Sequence, residues 1–186
     1  MGKILCKLLQ PEHMKLLSFG LDAAGKTMVL YQLKLGMAVT IFPTNGFNVE
    51  TINHNNMNIT AWNIAGRDKL PPLYRLLFYR YTDGFTFSLD STNRVRFRET
   101  VDELKRFVNE DEWRDAILVI ANKQDLLNNM AVEEIHSRME EDQIIQTQVW
   151  KAFPAFATIR EGPYEALDWL KEQSRKDEVA SGIRRK

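Results

Sequence analysis

Cysteine is almost missing from this chain: Cys6 stands alone, so no internal disulfide can form, and a single thiol fits a reducing compartment. Histidine is scarce too, and His13, His54 and His136 are scattered rather than set at metal-ligand spacing. A zinc site held by protein side chains is therefore not expected. An excess of charge of either sign is lacking as well. With 25 Lys plus Arg against 25 Asp plus Glu, the overall balance gives no reason to expect a nucleic-acid partner. No apolar run approaches the ~20 residues of a membrane-spanning helix, and the first residues lack the long apolar region of a secretory signal. The expectation is a cytosol-facing protein. At 186 residues, 44% of them hydrophobic, one domain has enough apolar material for its core.

What the chain does have is Gly20, Leu21, Asp22, Ala23, Ala24, Gly25, Lys26 and Thr27 in succession. Glycine at the first and sixth places, followed by lysine and threonine, is a complete phosphate-binding loop. Backbone N–H groups of such a turn point at a β-phosphate, and the next helix presents its positive end to the same charge. Lys26 is expected to reach the β- and γ-phosphates, and the Thr27 hydroxyl to ligate Mg2+. Residues 14–19 read as the strand entering the loop and residues 28–35 as the helix leaving it, with Gly36 as its stop. Nucleotide contacts are thus expected from Gly20, Asp22, Ala23, Ala24, Gly25, Lys26, Thr27 and Met28.

Further along, residues 47–53 and 57–63 are β-rich runs separated by His54, Asn55 and Asn56, the pattern of an antiparallel hairpin. Residues 84–90 read as a strand, 95–109 as a helix with Leu104, Phe107 and Val108 on one face, and 116–121 as a strand buried on both faces. A helix over 131–139, a strand over 149–157 and a closing amphipathic helix over 162–173 follow, before a charged tail over 174–186. Strands alternating with helices predict an α/β fold with a mainly parallel sheet, helix-covered on both faces. Ligands of such a sheet sit beyond the carboxyl ends of its strands.

Asn122, Lys123, Gln124 and Asp125 follow the buried strand directly. A carboxylate at Asp125 can accept both N1–H and the exocyclic amine of guanine, a donor pair that adenine does not offer. Asn122 and Lys123 are placed to brace the base and the phosphate loop. Together with that loop, the motif selects guanine. A P-loop ATPase or nucleotide kinase would keep the phosphate loop but leave residues 122–125 unexplained.

With these two motifs, the chain resembles the ADP-ribosylation factor (Arf) family of small GTPases over almost its whole length. The resemblance rests on residues 20–27, on Leu33, Lys34, Leu35 and Gly36, on Pro43 and Thr44 followed by residues 46–51, and on residues 121–126 and 164–170. Residues 1–5 and the spacing up to Gly66 look most like its plasma-membrane and endosomal member. The resemblance implies a P-loop small-GTPase fold with one antiparallel edge strand, and a GTP/GDP switch that docks on membranes and recruits effectors. Thr44 would then add a Mg2+ ligand, Gly66 would donate its N–H to the γ-phosphate, and Phe156 and Ala157 would lie at the guanine. Phe47 and Trp62 match two places of the family's aromatic effector patch, whose third place is Leu77 here.

Three departures fall on the chemistry. Asn63 stands where the family has an aspartate that accepts from Mg2+-bound water, and an amide keeps one acceptor oxygen but no charge. Arg67 stands at the glutamine that orients the attacking water through an amide oxygen, and a guanidinium has no acceptor. Ala65 adds a methyl where the family has glycine. Weakened metal binding and slow hydrolysis are expected, with Arg67 inactive in the catalytic place; the rival reading is a pseudo-GTPase that works as a protein-binding module.

At the amino terminus, Met1 and Gly2 can yield a glycine for myristoylation, although Cys6 replaces the consensus hydroxyl residue. Ile4, Leu5, Leu8 and Leu9 form an apolar stripe flanked by Lys3 and Lys7, so residues 1–13 are expected to supply an amphipathic helix and its linker. One acyl chain anchors only marginally, and the helix would be the second signal. By resemblance, the partners are a guanine nucleotide, the membrane surface, an exchange factor, an activating protein and effectors, acting on a monomer.

Overall fold

The computed structural model describes residues 12–37, 46–64, 82–110, 116–141, 149–156 and 162–181. Strand β1 (Glu12–Phe19) sends Met14 and Leu16 to one face and Leu17 and Phe19 to the other, so it is buried on both sides. Such a strand belongs in the middle of a sheet. It pairs in parallel with β3 (Met57–Ile64) on one side and β4 (Gly84–Asp90) on the other, Leu17 standing opposite both Trp62 and Phe85. β2 (Phe47–His54), β5 (Ile117–Asn122) and β6 (Trp150–Pro154) complete the order β2-β3-β1-β4-β5-β6. Only β2 runs antiparallel, along one edge. This is the expected α/β architecture.

Local chemistry sets the element ends. The β2–β3 connection is a two-residue turn rather than the three residues expected, because Asn55 and Asn56 take φ of 44° and 58° and His54 still pairs with Met57. Two central residues at positive φ suit the twist of a tight hairpin, and asparagine tolerates that region. Helix α1 (Lys26–Leu35) begins at Lys26, ahead of the expected Met28, and ends as expected at Gly36, whose φ of 67° lets its N–H bond the Gln32 carbonyl at 2.7 Å. Helix α2 (Phe97–Glu110) starts later than expected: Asn93 Oδ1 accepts the Arg96 N–H at 3.1 Å, fixing the turn before it, and Val95 is left exposed. Helix α3 (Val132–Glu141) follows β5.

The last helix corrects an expectation. α4 (Pro163–Ser181) runs past Gln173 through Ser181, where a charged tail was expected to begin. Loss of the apolar stripe ended the amphipathic pattern but not the helix, which continues with Lys176 paired to Glu172 one turn back and Arg175 bonded to Glu12. Helices α1 and α4 cover one face of the sheet and α2 and α3 the other, each over its own apolar cluster. On the α2 side Phe19 meets Phe85, Phe87 and Phe107 at centroid distances of 5.4, 4.9 and 4.2 Å. Such contacts add about 0.5–1.5 kcal/mol each to simple burial and hold rigid the strand from which the phosphate-binding loop hangs.

Candidate functional site

Because β1, β3, β4, β5 and β6 are parallel, their carboxyl ends share one rim of the sheet. The loop after β1 is compressed against that rim. A Cβ on Gly20 would lie 2.2 Å from the Ser88 carbonyl oxygen, and Gly20 has φ of 139°. Lys26 is buried, and its ammonium donates to the carbonyls of Gly20 at 2.9 Å and Leu21 at 2.8 Å. The positive charge is thus fixed across the loop by the protein itself. Gly25 caps α1 without any side-chain bond, and no acidic residue sits in the first turn. The helix end is therefore set up to receive an anion.

The end of β5 reaches into the same loop. Asn122 is buried and donates through Nδ2 to the Ala24 carbonyl at 3.0 Å. Lys123 takes a φ of 65° and donates to Asp90 Oδ2 at 2.5 Å. Burial works to raise the Asp90 carboxyl, but the bonds from Lys123 and from the Thr92 hydroxyl and N–H outweigh it and hold the pKa below its usual value. Gln124 is tied to the Ala155 carbonyl through its N–H at 3.1 Å and to the Met130 carbonyl through Nε2 at 2.8 Å. Asp125, next in line, is exposed, as a carboxylate that is to receive a base must be. Gln32 of α1 donates to the Phe156 carbonyl at 2.6 Å. Residues 20–27, 122–125 and 156 thus share one rim of the sheet.

Three participants were not anticipated. Asp90 ends a strand at the carboxyl rim, a place that singles out ligand-facing residues. Gln32 is a polar side chain between the buried Leu30 and Leu33, a sign that it has a fixed partner. Arg96 donates to Asp22 Oδ1 at 2.8 Å and to both oxygens of Glu99, and no local sequence signal links it to the loop. The Arg96 guanidinium holds the Asp22 carboxyl below its usual range. Asp22 is therefore occupied by an arginine, and its backbone is what it offers a phosphate.

The metal place reads differently. Asn63 is 0% exposed, and its Nδ2 donates to Thr27 Oγ1 at 2.6 Å while Oδ1 has no hydrogen-bond partner. Turning the amide over exchanges the two atoms and still leaves one donor and one acceptor, where a carboxylate would give acceptors only. The carboxylates of Asp22 and Asp90, which border the loop, are each held by a cation, Arg96 and Lys123. Among the described residues no group of three His, Cys, Asp or Glu is placed to hold a metal ion. Mg2+ is usually held by one or two carboxylates plus phosphates and waters. The donors among the described residues do not fit it.

On the hairpin, Phe47 and Val49 are 46% and 48% exposed, and Trp62 stands directly across from Val49. Opposed residues share a face, so Phe47 and Trp62 lie on one side of the sheet. Gly2, Thr44, Ala65, Gly66, Arg67, Leu77 and Ala157 lie outside the described residues.

The profile of the ADP-ribosylation factor family matches residues 1–174. Among solved structures, the chain is similar to the Arl6 BBS3 small GTPase from Trypanosoma brucei with bound nucleotide analogue GppNp, at 23% identity and a TM-score of 0.73. The match covers 88% of this chain and 98% of that one. At that identity the likeness bears on the fold, and the fold is the small-GTPase one. The family match runs through the phosphate loop, the hairpin and the guanine loop alike, and the chain belongs to the ADP-ribosylation factor family.

Proposed function

We propose that this protein is a guanine-nucleotide switch of membrane and vesicle traffic that holds GTP and hydrolyses it slowly. The observation that supports it most is the Asn122 amide on the Ala24 carbonyl, which joins the base loop to the phosphate loop in one preformed rim. GTP and GDP are the ligands, Asp125 the guanine reader, and Lys26 with the N-terminal turn of α1 the phosphate cradle. Arg67 in place of a water-orienting glutamine leaves the attacking water without an acceptor. Charge stabilisation alone supplies only part of the catalysis.

In this reading, Gly2 carries a myristoyl group, and residues 1–13 bring the protein to cytoplasmic membranes of the Golgi, endosome or plasma membrane. Phe47, Trp62 and Leu77 form the effector surface, and an exchange factor and an activating protein act on the monomer. The likeness to the plasma-membrane and endosomal member of the family favours the last two locations.

The test is a titration of purified protein with labelled GTP, GDP and ATP, followed by phosphate release from the GTP complex. Guanine-selective binding with little phosphate release is the expected result, with release rising when Arg67→Gln is combined with Asn63→Asp. Failure of folded protein to bind any guanine nucleotide leaves the rival reading, a non-catalytic pseudo-GTPase acting as a protein-binding module.

A further inference from the structure

We infer that this chain binds its guanine nucleotide without dependence on Mg2+, the Asn63 amide standing against Thr27 where a metal's water shell would be held and the Lys26 ammonium supplying the phosphates with positive charge. The inference rests on the nucleotide-switch reading and concerns the regulation of that same site. Three observations carry it. Asn63 is buried at the end of β3 against Thr27 and presents an N–H to the hydroxyl that would have to ligate a metal. A hydrated divalent ion turns only hydrogens outward, so it needs acceptors around it, and Asn63 offers one uncharged amide oxygen where a carboxylate would offer two charged ones. Asn63 stands opposite Ser18 on β1 and Asn48 on β2, so neither cross-strand neighbour restores the missing carboxylate.

Among the described residues, the two acidic side chains bordering the loop are not in reserve either. Asp22 is bonded to Arg96 and Asp90 to Lys123. Moving Asp90 to a metal would take from Lys123 the carboxylate it is bonded to, and moving Asp22 would leave Arg96 with Glu99 alone. The phosphates meanwhile have a positive partner that needs no metal to position it. Lys26 is anchored by two loop carbonyls, and the α1 terminus adds its own partial charge. Phosphate affinity is built into the fold, and the metal has lost the carboxylate that would retain it.

The experiment measures equilibrium affinity and dissociation rate of fluorescently labelled GDP on the full chain, with excess Mg2+ and with excess EDTA, for the wild-type protein and Asn63→Asp. Expected for the wild type is a change of less than about threefold between the two conditions. In Asn63→Asp, chelation is expected to weaken binding roughly 10- to 100-fold, the usual worth of a group that supports a metal's ligands. A wild-type affinity that falls tenfold or more on chelation overturns the inference and leaves the switch reading intact. Absence of guanine-nucleotide binding by folded wild-type protein in both conditions overturns the switch reading and this inference together. Should Asn63→Asp fail to fold, the wild-type pair of measurements decides alone.

Discussion

Asn122 and Gly25 meet so closely that a Cβ on the glycine would lie 2.0 Å from the asparagine amide nitrogen. Gly25 also has φ of 85°, so an alanine there both collides with Asn122 and strains the backbone. Gly25→Ala should push the amide off the Ala24 carbonyl and lower stability by about 1–3 kcal/mol. Chemical denaturation reads the loss, and titration with labelled GDP should show weakened affinity in whatever variant remains folded. An unchanged affinity would mean that the brace between the two loops is dispensable.

In the proposed switch, Asp125 supplies the base selectivity. Its carboxylate accepts two donors that adenine cannot match, and bonds to a charged group contribute about 1.5–3 kcal/mol each. Asp125→Ala is expected to cut GDP affinity by at least about tenfold, leaving ADP binding as weak as before. Competition between the two nucleotides for a labelled probe measures the ratio.

The Asp90–Lys123 pair makes a pH prediction. The folded-state pKa of Asp90 lies below its ordinary 3.8, so the carboxylate contributes stability above that value. The contribution disappears as the pH falls through the folded value, where the aspartate protonates in the native state too. Asp90→Asn should therefore be less stable than wild type near neutrality, by about 1 kcal/mol for a pair that still touches solvent, and the two curves should converge under acid. Urea titrations from neutral pH down to about pH 3 test the convergence.

At the opposite end of the sheet, the tip of the hairpin is fastened to α4. Asp168 Oδ1 lies 3.0 Å from His54 Nε2 and accepts from Asn55 Nδ2 at 3.2 Å, while the His54 ring leans on Tyr164 at a centroid distance of 4.8 Å. Asp168 is half exposed, so the global effect of Asp168→Ala should stay below about 1 kcal/mol. Its local effect should be larger. Faster amide hydrogen exchange at Asn55 and Asn56, with GDP affinity unchanged, is the expected signature.

Much of this was legible from residue order because the strongest signals are local. The phosphate loop, the guanine loop and the strand at 84–90 each carry their chemistry in consecutive residues. The bounds of β5 shifted by only one place, since continuous burial is visible as a continuous apolar run. Helix ends were harder. The start of α2 was set by a side-chain bond from Asn93, and α4 persisted beyond its apolar stripe. Hardest were the long-range contacts: Gln32 to Phe156 and Arg96 to Asp22 join segments 124 and 74 residues apart, and neither has a periodicity to betray it. Asn63 was read as a lost charge. That its nitrogen would face Thr27, and that Asp22 and Asp90 would both be engaged, needed the fold.

The bond from Asn122 to Ala24 spans 98 residues of sequence, and the strand that carries the loop is completed only when β3 and β4 have closed on either side of it. Contacts of such separation form late, after the entropy of closing long loops has been spent. The nucleotide therefore has nothing to grip in an early, partly ordered chain. It should act as a lock rather than a template: its presence would slow unfolding while the refolding rate stays where the bare chain sets it.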